Sequence, residues 1–265
     1  MHVKKKIKKI SLFLAKPFLP NKSVICDGPG FKIRIRPPKT STIGRSLYFK
    51  KIWEPKMTKV VQDKVKEGWY ILDVGADIGY YSLLFALKSG AKGKVVCFEP
   101  DPEPWPYLKD NIAMFENKNI IPYALALSDH EGLGMMKLGG KGQLYPDQKS
   151  DSDVTNTVKM VVFDDFFPKL SWNKIDLIKI DVEGAELSVL KGMKKTINKY
   201  HPKLLIEIHP RQLKNVFNSS SEELFDYLTN DLSYELTPVD HDRLIIPKDG
   251  NITVWAEWIK RKKEI

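Results

Sequence analysis

The sequence predicts an α/β fold with a mostly parallel, doubly wound sheet. After residue 68, apolar segments typical of buried strands alternate with segments of helical periodicity. The first of these strands runs into a turn that contains Gly75 and Gly79, and the next strand ends in a single carboxylate, Glu99. Because open α/β sheets bind ligands at the carboxyl ends of their strands, we expect a ligand site at this edge.

The elements follow in a regular order. Residues 24–49 are predicted to form short strands and turns, and a helix is expected over 54–66, ending at Gly68. The parallel strands are expected at 69–74, 95–99, 120–127, 175–181 and 203–209, and the helices at 79–88, 104–115, 186–199 and 221–230. Two further β-rich stretches, 233–239 and 252–259, flank a turn at 248–251 and predict an antiparallel hairpin at the sheet edge.

Residues 130–157 are the least regular part of the chain, with five glycines and a polar run from Asp147 to Thr157. They predict either a mobile loop that covers an acceptor pocket or an exposed hairpin loop without a role in chemistry.

Composition limits the class of protein. The 265 residues include 42% hydrophobic residues, and no apolar run approaches the ~20 residues that span a bilayer. The two cysteines, Cys26 and Cys97, form neither a disulfide framework nor a metal site, which favours a reducing, cytoplasmic setting.

The net charge of +10 is concentrated at the N-terminus. Residues 1–59 contain 16 Lys and Arg against 2 Asp and Glu, a balance of +14, and the remainder has 27 against 31, a balance of −4. Residues 1–23 resemble a basic amphipathic segment, and residues 1–20 are expected to contact an anionic membrane surface, which would make the protein peripheral. A solvated tail and a helix packed on its own domain remain open. Residues 24–68 are expected to pack on a catalytic domain at 69–265.

The glycine turn favours one kind of nucleoside. Its spacing is not the G-x-G-x-x-G of dinucleotide sites, and no G-K-[ST] follows it, which excludes a P-loop. Two acids, Asp73 and Asp77, lie beside the turn. They would repel a pyrophosphate but suit the ammonium and sulfonium charges of S-adenosylmethionine. Glu99 is expected to accept both hydroxyls of its ribose.

Five segments carry a family resemblance: DVGADIGYYS (73–82), FEPDP (98–102), ALSD (126–129), IKIDVEGAE (178–186) and LIEIHP (205–210). On these, the chain is identified as resembling the FkbM-type S-adenosylmethionine-dependent methyltransferases. The resemblance implies a Rossmann-like class I methyltransferase fold with seven strands. It also implies O-methylation of a sugar, glycan or other small polyhydroxylated acceptor. The family usually has Asn where this chain has Asp77.

The candidate catalytic residues follow the fourth and fifth strands. Side chains alternate along a strand, so one strand presents Lys179, Asp181 and Glu183 on one side. The next presents Glu207 and His209. We expect Lys179 and Glu207 to form a buried ion pair, since an unpaired charge in a covered strand is costly.

Roles can be assigned within this set. Asp181 is expected to contact the transferred methyl group or the acceptor hydroxyl, and His209 to act as general base. Glu186 is expected only to stabilise a helix start. No metal site is predicted, because the ligand spacing is not compact. A magnesium or manganese ion on Asp181, Glu183 and His209, or on a subset with Glu207, is the alternative.

The remaining predicted cofactor contacts come from the ends of the first three strands. Tyr80 and Pro100 adjoin the turn and Glu99, and Ser128 and Asp129 follow the third strand, where a polar group would meet the adenine amine. A simple turn explains Ser128 and Asp129 equally well.

Three other functions fit the sequence less well. The basic N-terminus is compatible with an RNA or other nucleic-acid methyltransferase, but residues 181–184 do not form the Asn/Asp-Pro-Pro-aromatic turn of base-amine methylation, so a nucleic-acid partner is not expected. A non-catalytic membrane-associated protein could retain the fold. The glycine spacing disfavours a nicotinamide dehydrogenase.

Overall fold

The computed structural model describes residues 16–137, 144–145, 154–245 and 250–260. The strands in these ranges are β1 (Val24–Asp27), β2 (Lys32–Ile35), β3 (Tyr70–Val74), β4 (Lys94–Phe98), β5 (Ile120–Tyr123), β6 (Ala126–Ser128), β7 (Gly132–Lys137), β8 (Leu144–Tyr145), β9 (Val154–Val162), β10 (Leu177–Ile180), β11 (Lys203–Ile208), β12 (Tyr234–Pro238) and β13 (Ile252–Trp258). The α-helices are α1 (Thr42–Lys50), α2 (Pro55–Lys64), α3 (Tyr80–Ser89), α4 (Trp105–Met114), α5 (Phe163–Phe166), α6 (Glu186–Gly192), α7 (Lys194–Tyr200), α8 (Pro210–Phe217) and α9 (Ser221–Asp226).

The central sheet has the predicted architecture. Its seven strands lie in the order β12-β13-β11-β10-β3-β4-β5. The five strands from β11 to β5 are parallel, and β13 joins β11 antiparallel and pairs with β12 as the terminal hairpin. The prediction of a mostly parallel sheet with an antiparallel C-terminal edge is therefore confirmed. The four inner parallel strands, β3, β4, β10 and β11, are largely buried on both faces, as their apolar sequences require, whereas Ile121 of the edge strand β5 is exposed.

The segment before β3 contains a helix that the sequence analysis missed. Residues 24–49 were expected to form only strands and turns, but α1 begins at Thr42. Its N-cap is Ser41, whose hydroxyl accepts a hydrogen bond from the Gly44 amide at 3.0 Å, and its Leu47 is fully buried. Leu47 joins Ile33 and Ile35 of β2 in one hydrophobic cluster with Ile71 and Leu83. The N-terminal strands thus pack directly on the central sheet, while the domain division itself remains a prediction.

Residues 130–157 also differ from expectation. Much of this stretch belongs to a second, four-stranded sheet of order β6-β9-β7-β8. The sequence predicts a loop because its glycines suggest turns, yet Gly134 lies inside β7, where a Cβ would meet Leu144 Cδ1 at 2.6 Å. Packing between the strands therefore favours glycine at position 134, although the intrinsic propensity of glycine favours a loop.

Several predicted features lie outside the described residues. These are residues 1–15 of the basic N-terminal segment, most of the polar run 147–157, part of the turn at 248–251 and the basic residues 261–263. Among the helices of the described ranges, none combines the length and the apolar character needed to cross a bilayer.

The turn after β3 depends on glycine for a steric reason. Gly75 has a φ of +82°, and a Cβ at this position would lie 1.8 Å from the Asp181 carbonyl oxygen. The side of the Gly75 backbone where a side chain would project faces the end of β10. The missing side chain therefore lets β3 and β10 come together where both strands end.

Two glycine substitutions distinguish the energetic cost of this steric contact from the cost of a positive φ. Gly68 has a φ of +78°, and a Cβ added there would have nothing within 4 Å, so we expect Gly68→Ala to lower the free energy of unfolding by only about 1–2 kcal/mol. Gly75→Ala should cost about 2 kcal/mol more, because the added methyl must displace backbone. Urea unfolding of both variants measures the difference, and equal losses would contradict this account.

Candidate functional site

A cavity of about 880 Å³ opens at the carboxyl edge of the central sheet. The ends of β3, β4, β10 and β11 contribute ten of the predicted site residues to its wall: Gly75, Asp77, Tyr80, Glu99, Pro100, Lys179, Asp181, Glu183, Glu207 and His209. Four others, Asp73, Gly79, Ser128 and Asp129, are not among the described wall residues. One continuous space therefore joins the predicted nucleoside end to the predicted catalytic end.

Glu99 holds the glycine turn in place. Its Oε2 accepts a hydrogen bond from the Asp77 amide at 2.8 Å, and its Oε1 accepts one from the Asp101 amide at 2.9 Å. Burial, followed by the negative charge of Asp77, raises the pKa of Glu99 to about 8, although the two amides act in the opposite direction. Each carboxylate oxygen keeps a second lone pair, so Glu99 can still accept hydroxyl donors from a ligand.

Asp77 is tied to the N-terminal strands. Arg36, just after β2, reaches the turn with its Nη2 atom 2.7 Å from Asp77 Oδ1, and it also pairs with Glu103. Asp77 itself has a positive φ of +48°, a conformation that Asn and Asp adopt more readily than most residues. The carboxylate at position 77, where the family usually has Asn, thus has a cationic partner within the chain.

The predicted ion pair between Lys179 and Glu207 is wrong. Lys179 Nζ lies 3.4 Å from Asp73 Oδ1 and 3.4 Å from Asp181 Oδ2, and it donates to the Gly75 carbonyl at 3.2 Å. The register explains the outcome, because Lys179 is directly opposite Asp73 on β3 but opposite Leu205 on β11, two residues before Glu207. Burial would lower the pKa of Lys179, but Asp181 and Asp73 outweigh it and keep the lysine charged.

His209 lies among carboxylates at the end of β11. Its Nδ1 is 2.7 Å from Glu186 Oε1, and its Nε2 is 3.6 Å from Glu183 Oε2 and 3.7 Å from Glu207 Oε1. Burial would lower its pKa, but the hydrogen bond with Glu186 and the surrounding charges raise it to about 10. This raised pKa acts against the predicted role of general base at neutral pH, and that role stays a prediction.

Glu186 does more than begin a helix. Its Oε1 accepts from the Gly184 amide at 3.0 Å as well as contacting His209, and its side chain is fully buried. It therefore orients the imidazole ring from the side opposite the cavity. The sequence analysis assigned it only to the helix start, because 23 positions separate it from His209.

Ser128 and Asp129 form the simple turn that was the alternative explanation. The Ser128 hydroxyl lies 3.2 Å from Asp129 Oδ1, and its carbonyl packs against Gly192 at the end of α6. The preceding residues 125–127 line the cavity with apolar side chains. That part of the described wall is apolar, and the contact of Ser128 or Asp129 with the adenine amine stays a prediction.

Among the wall residues that the sequence did not predict, three make side-chain contacts that hold the site together. Arg36 supports the turn, Glu54 accepts a hydrogen bond from the Tyr81 hydroxyl at 2.9 Å, and the Asn251 amide donates to Glu207 Oε1 at 2.8 Å. Each comes from a segment far along the chain from the strand it serves. The sequence marks none of them, because only folding brings these segments to the sheet edge.

Comparison with known proteins places the chain in a family. A model of the methyltransferase FkbM domain matches residues 73–236, more than half of the sequence. The chain belongs to the FkbM methyltransferase domain family. It is therefore an S-adenosylmethionine-dependent methyltransferase, as the five motif segments predicted.

The curated relatives are distant. Hexuronic acid methyltransferase AglP of Haloferax volcanii is 24% identical over 196 residues, which cover 71% of this chain and 74% of AglP. The 2-O-methyltransferase NoeI of Sinorhizobium fredii is 28% identical over 146 residues, 49% of this chain and 59% of NoeI. A crystal structure of an FkbM methyltransferase from Methylobacillus flagellatus is 20% identical with a TM-score of 0.49, covering 71% of this chain and 43% of that one.

The cavity of this FkbM-family chain fits its cofactor. Eight carboxylate side chains line the described wall (Glu54, Asp77, Glu99, Asp101, Glu103, Asp181, Glu183 and Glu207). Its two lysine or arginine side chains, Arg36 and Lys179, are both already paired with carboxylates. Such a wall suits a cationic ligand without phosphate, and Glu99 offers acceptors for ribose hydroxyls.

The buried lysine should be essential for stability. Lys179→Met leaves Asp73 and Asp181 without their cation, so we expect a loss of about 3–5 kcal/mol in the free energy of unfolding. Lys174→Met is the control, because Lys174 lies 2.8 Å from Asp176 but is 43% exposed, and it should cost less than about 1 kcal/mol. Denaturant titration compares the two, and similar costs would contradict the assigned role of Lys179.

Glu99 should make stability depend on pH. Its folded pKa of about 8 lies above the unfolded value near 4.5, so the folded state binds its proton more tightly. Its contribution is therefore greatest below pH 4.5 and is lost as the pH rises towards 8, by up to about 1.4 kcal/mol per pH unit. Urea midpoints from pH 5 to 9 should fall more steeply for the unaltered protein than for Glu99→Gln, and parallel curves would contradict the raised pKa.

Proposed function

We propose that this protein transfers a methyl group from S-adenosylmethionine to a hydroxyl of a sugar, glycan or other small polyhydroxylated acceptor. The observation that carries the proposal is the continuity of the cavity. Glu99 lines one part of it, and Asp181, Glu207 and His209 line another. The first part suits a nucleoside, and the second offers several hydrogen-bond acceptors to an acceptor with several hydroxyls.

The bound cofactor would supply a sulfonium methyl group, whose S–CH3 bond breaks as the acceptor's O–CH3 bond forms and the electron pair returns to sulfur. The chain's own residues would orient the acceptor and take up the hydroxyl proton. We assign the contact with the acceptor hydroxyl to Asp181. Its side chain is 27% exposed, and Lys179 holds its Oδ2 at 3.4 Å.

The name of one relative supports a sugar acceptor, and the name of another supports transfer to oxygen. AglP is named a hexuronic acid methyltransferase and NoeI a 2-O-methyltransferase. At identities of 24% and 28%, we infer for this chain only the chemical class of the acceptor and not the individual compound.

A nucleic-acid acceptor is the second candidate, favoured by the excess of positive charge in residues 1–59. The cavity argues against it. Phosphate backbones are bound by unpaired lysines and arginines, whereas the described wall carries eight carboxylates and two cations already in ion pairs.

Methyl transfer to a panel of hexuronic acids, hexoses and a short RNA tests the proposal. We expect transfer to a sugar and none to RNA. Asp181→Asn should lower kcat by about 10²–10⁴-fold, the usual contribution of a group that assists proton transfer. At pH 9, above its pKa of about 8, Glu99 is ionised, so Glu99→Gln should there weaken S-adenosylhomocysteine binding about tenfold or more, since a charged acceptor contributes about 1.5–3 kcal/mol.

Glu116→Gln, an exposed change outside the described wall, should leave both quantities unchanged. Transfer to RNA with no sugar accepted, or full activity of Asp181→Asn, would overturn the proposal.

A further inference from the structure

Three potential ligand atoms converge where β10 and β11 end. His209 Nε2 lies 3.8 Å from Asp181 Oδ1 and 3.7 Å from Glu207 Oε1, and one such atom from each of the three residues lies within 4.8 Å of the others. These separations exceed a hydrogen bond. Adjacent ligands of an octahedral ion bound at ~2.1 Å lie about 3.0 Å apart, so the three atoms would move about 0.7–0.8 Å closer together to share one ion.

The imidazole ring of His209 is held in position through the nitrogen that faces away from the cluster. His209 is 1% exposed, and its Nδ1 is 2.7 Å from the fully buried Glu186. Its Nε2 points into the cluster and has no hydrogen-bond partner within 3.5 Å among the residues that the structure describes. Metal-binding histidines usually have this arrangement, with one ring nitrogen held by a carboxylate and the other directed at the ion.

Three carboxylates converge on the ring nitrogen that faces the cavity. Asp181, Glu183 and Glu207 each approach His209 Nε2 within 3.8 Å, and Lys179 Nζ lies 3.4 Å from Asp181 Oδ2. The carboxylates of Asp181 and Glu207 would neutralise the charge of a divalent cation at the common centre.

We infer that Asp181, Glu207 and His209 bind a divalent cation on the wall of the cavity. Carboxylates are the preferred ligands of Mg²⁺ and Mn²⁺, and the imidazole makes Mn²⁺ the better match. An octahedral ion held by three protein atoms has three positions left. The site therefore favours an acceptor with two neighbouring oxygens, such as adjacent hydroxyls or a hydroxyl beside a carboxylate. This acceptor class rests on the proposed function, whereas the metal site does not.

The test uses the full chain after treatment with a chelator and its removal. Mn²⁺ is titrated in, and the free ion is followed by its electron paramagnetic resonance signal. We expect one saturable Mn²⁺ per chain. Glu207→Gln should weaken its binding at least tenfold, and Glu186→Gln about 10–100-fold through loss of ring orientation. Glu116→Gln removes an exposed carboxylate outside the described wall and should leave Mn²⁺ binding unchanged.

Binding of S-adenosylhomocysteine by each variant, measured in parallel by calorimetry, shows that the fold and the cofactor site are intact. A chain that binds S-adenosylhomocysteine but no Mn²⁺ would overturn the metal site and leave the methyltransferase assignment untouched. Equal Mn²⁺ binding by all three variants would also overturn it, because the ion would then be held elsewhere. Mn²⁺ binding lost only in Glu207→Gln and Glu186→Gln would support the site, even if no sugar in the panel were methylated.

Discussion

The structure of the site depends on one buried lysine. Lys179 stands in the middle of β10 and contacts Asp73 from β3, the Gly75 carbonyl from the glycine turn and Asp181 at its own strand end. A charge that is 1% exposed must be compensated at once, so these groups are held at fixed positions. The same contacts fix the position of the glycine turn relative to Asp181, the residue that we assign to the acceptor hydroxyl. Stability and catalytic geometry therefore share one ion cluster.

Around this cluster the cavity wall is predominantly acidic. Most of its carboxylates have partners within the chain: Glu99 accepts two backbone amides, Asp77 is paired with Arg36, and Glu54 accepts from Tyr81. Asp181, Glu183 and Glu207 instead converge on the single imidazole ring of His209, and they have further partners in Lys179, Gln212 and Asn251. This difference separates the two ends of the cavity. Separately paired carboxylates shape the part where a cationic cofactor fits, and a cluster of carboxylates around one ring lies where the acceptor would bind.

Much of the central sheet could be predicted from sequence because its signals are local. Apolar runs predict buried strands at β3, β4, β10 and β11, and the glycines that follow β3 predict a turn. Helix α1 and the second sheet could not be predicted in this way, because the contacts that stabilise them are not local. The apolar contact made by Leu47 and the place of Gly134 inside a strand depend on residues far away in the chain. Local propensity carries no information about such contacts.

The sequence by itself determined the fold class, the family, the cofactor and nearly all the polar residues at the strand ends, because each rests on residue types at short spacings. Only the tertiary structure decided which of those residues meet. The register of β10 with its neighbours pairs Lys179 with Asp73 rather than with Glu207. The packing of α6 beside β11 placed Glu186 behind His209. A one-residue difference in register changes every cross-strand partner, and no local pattern in either strand specifies it.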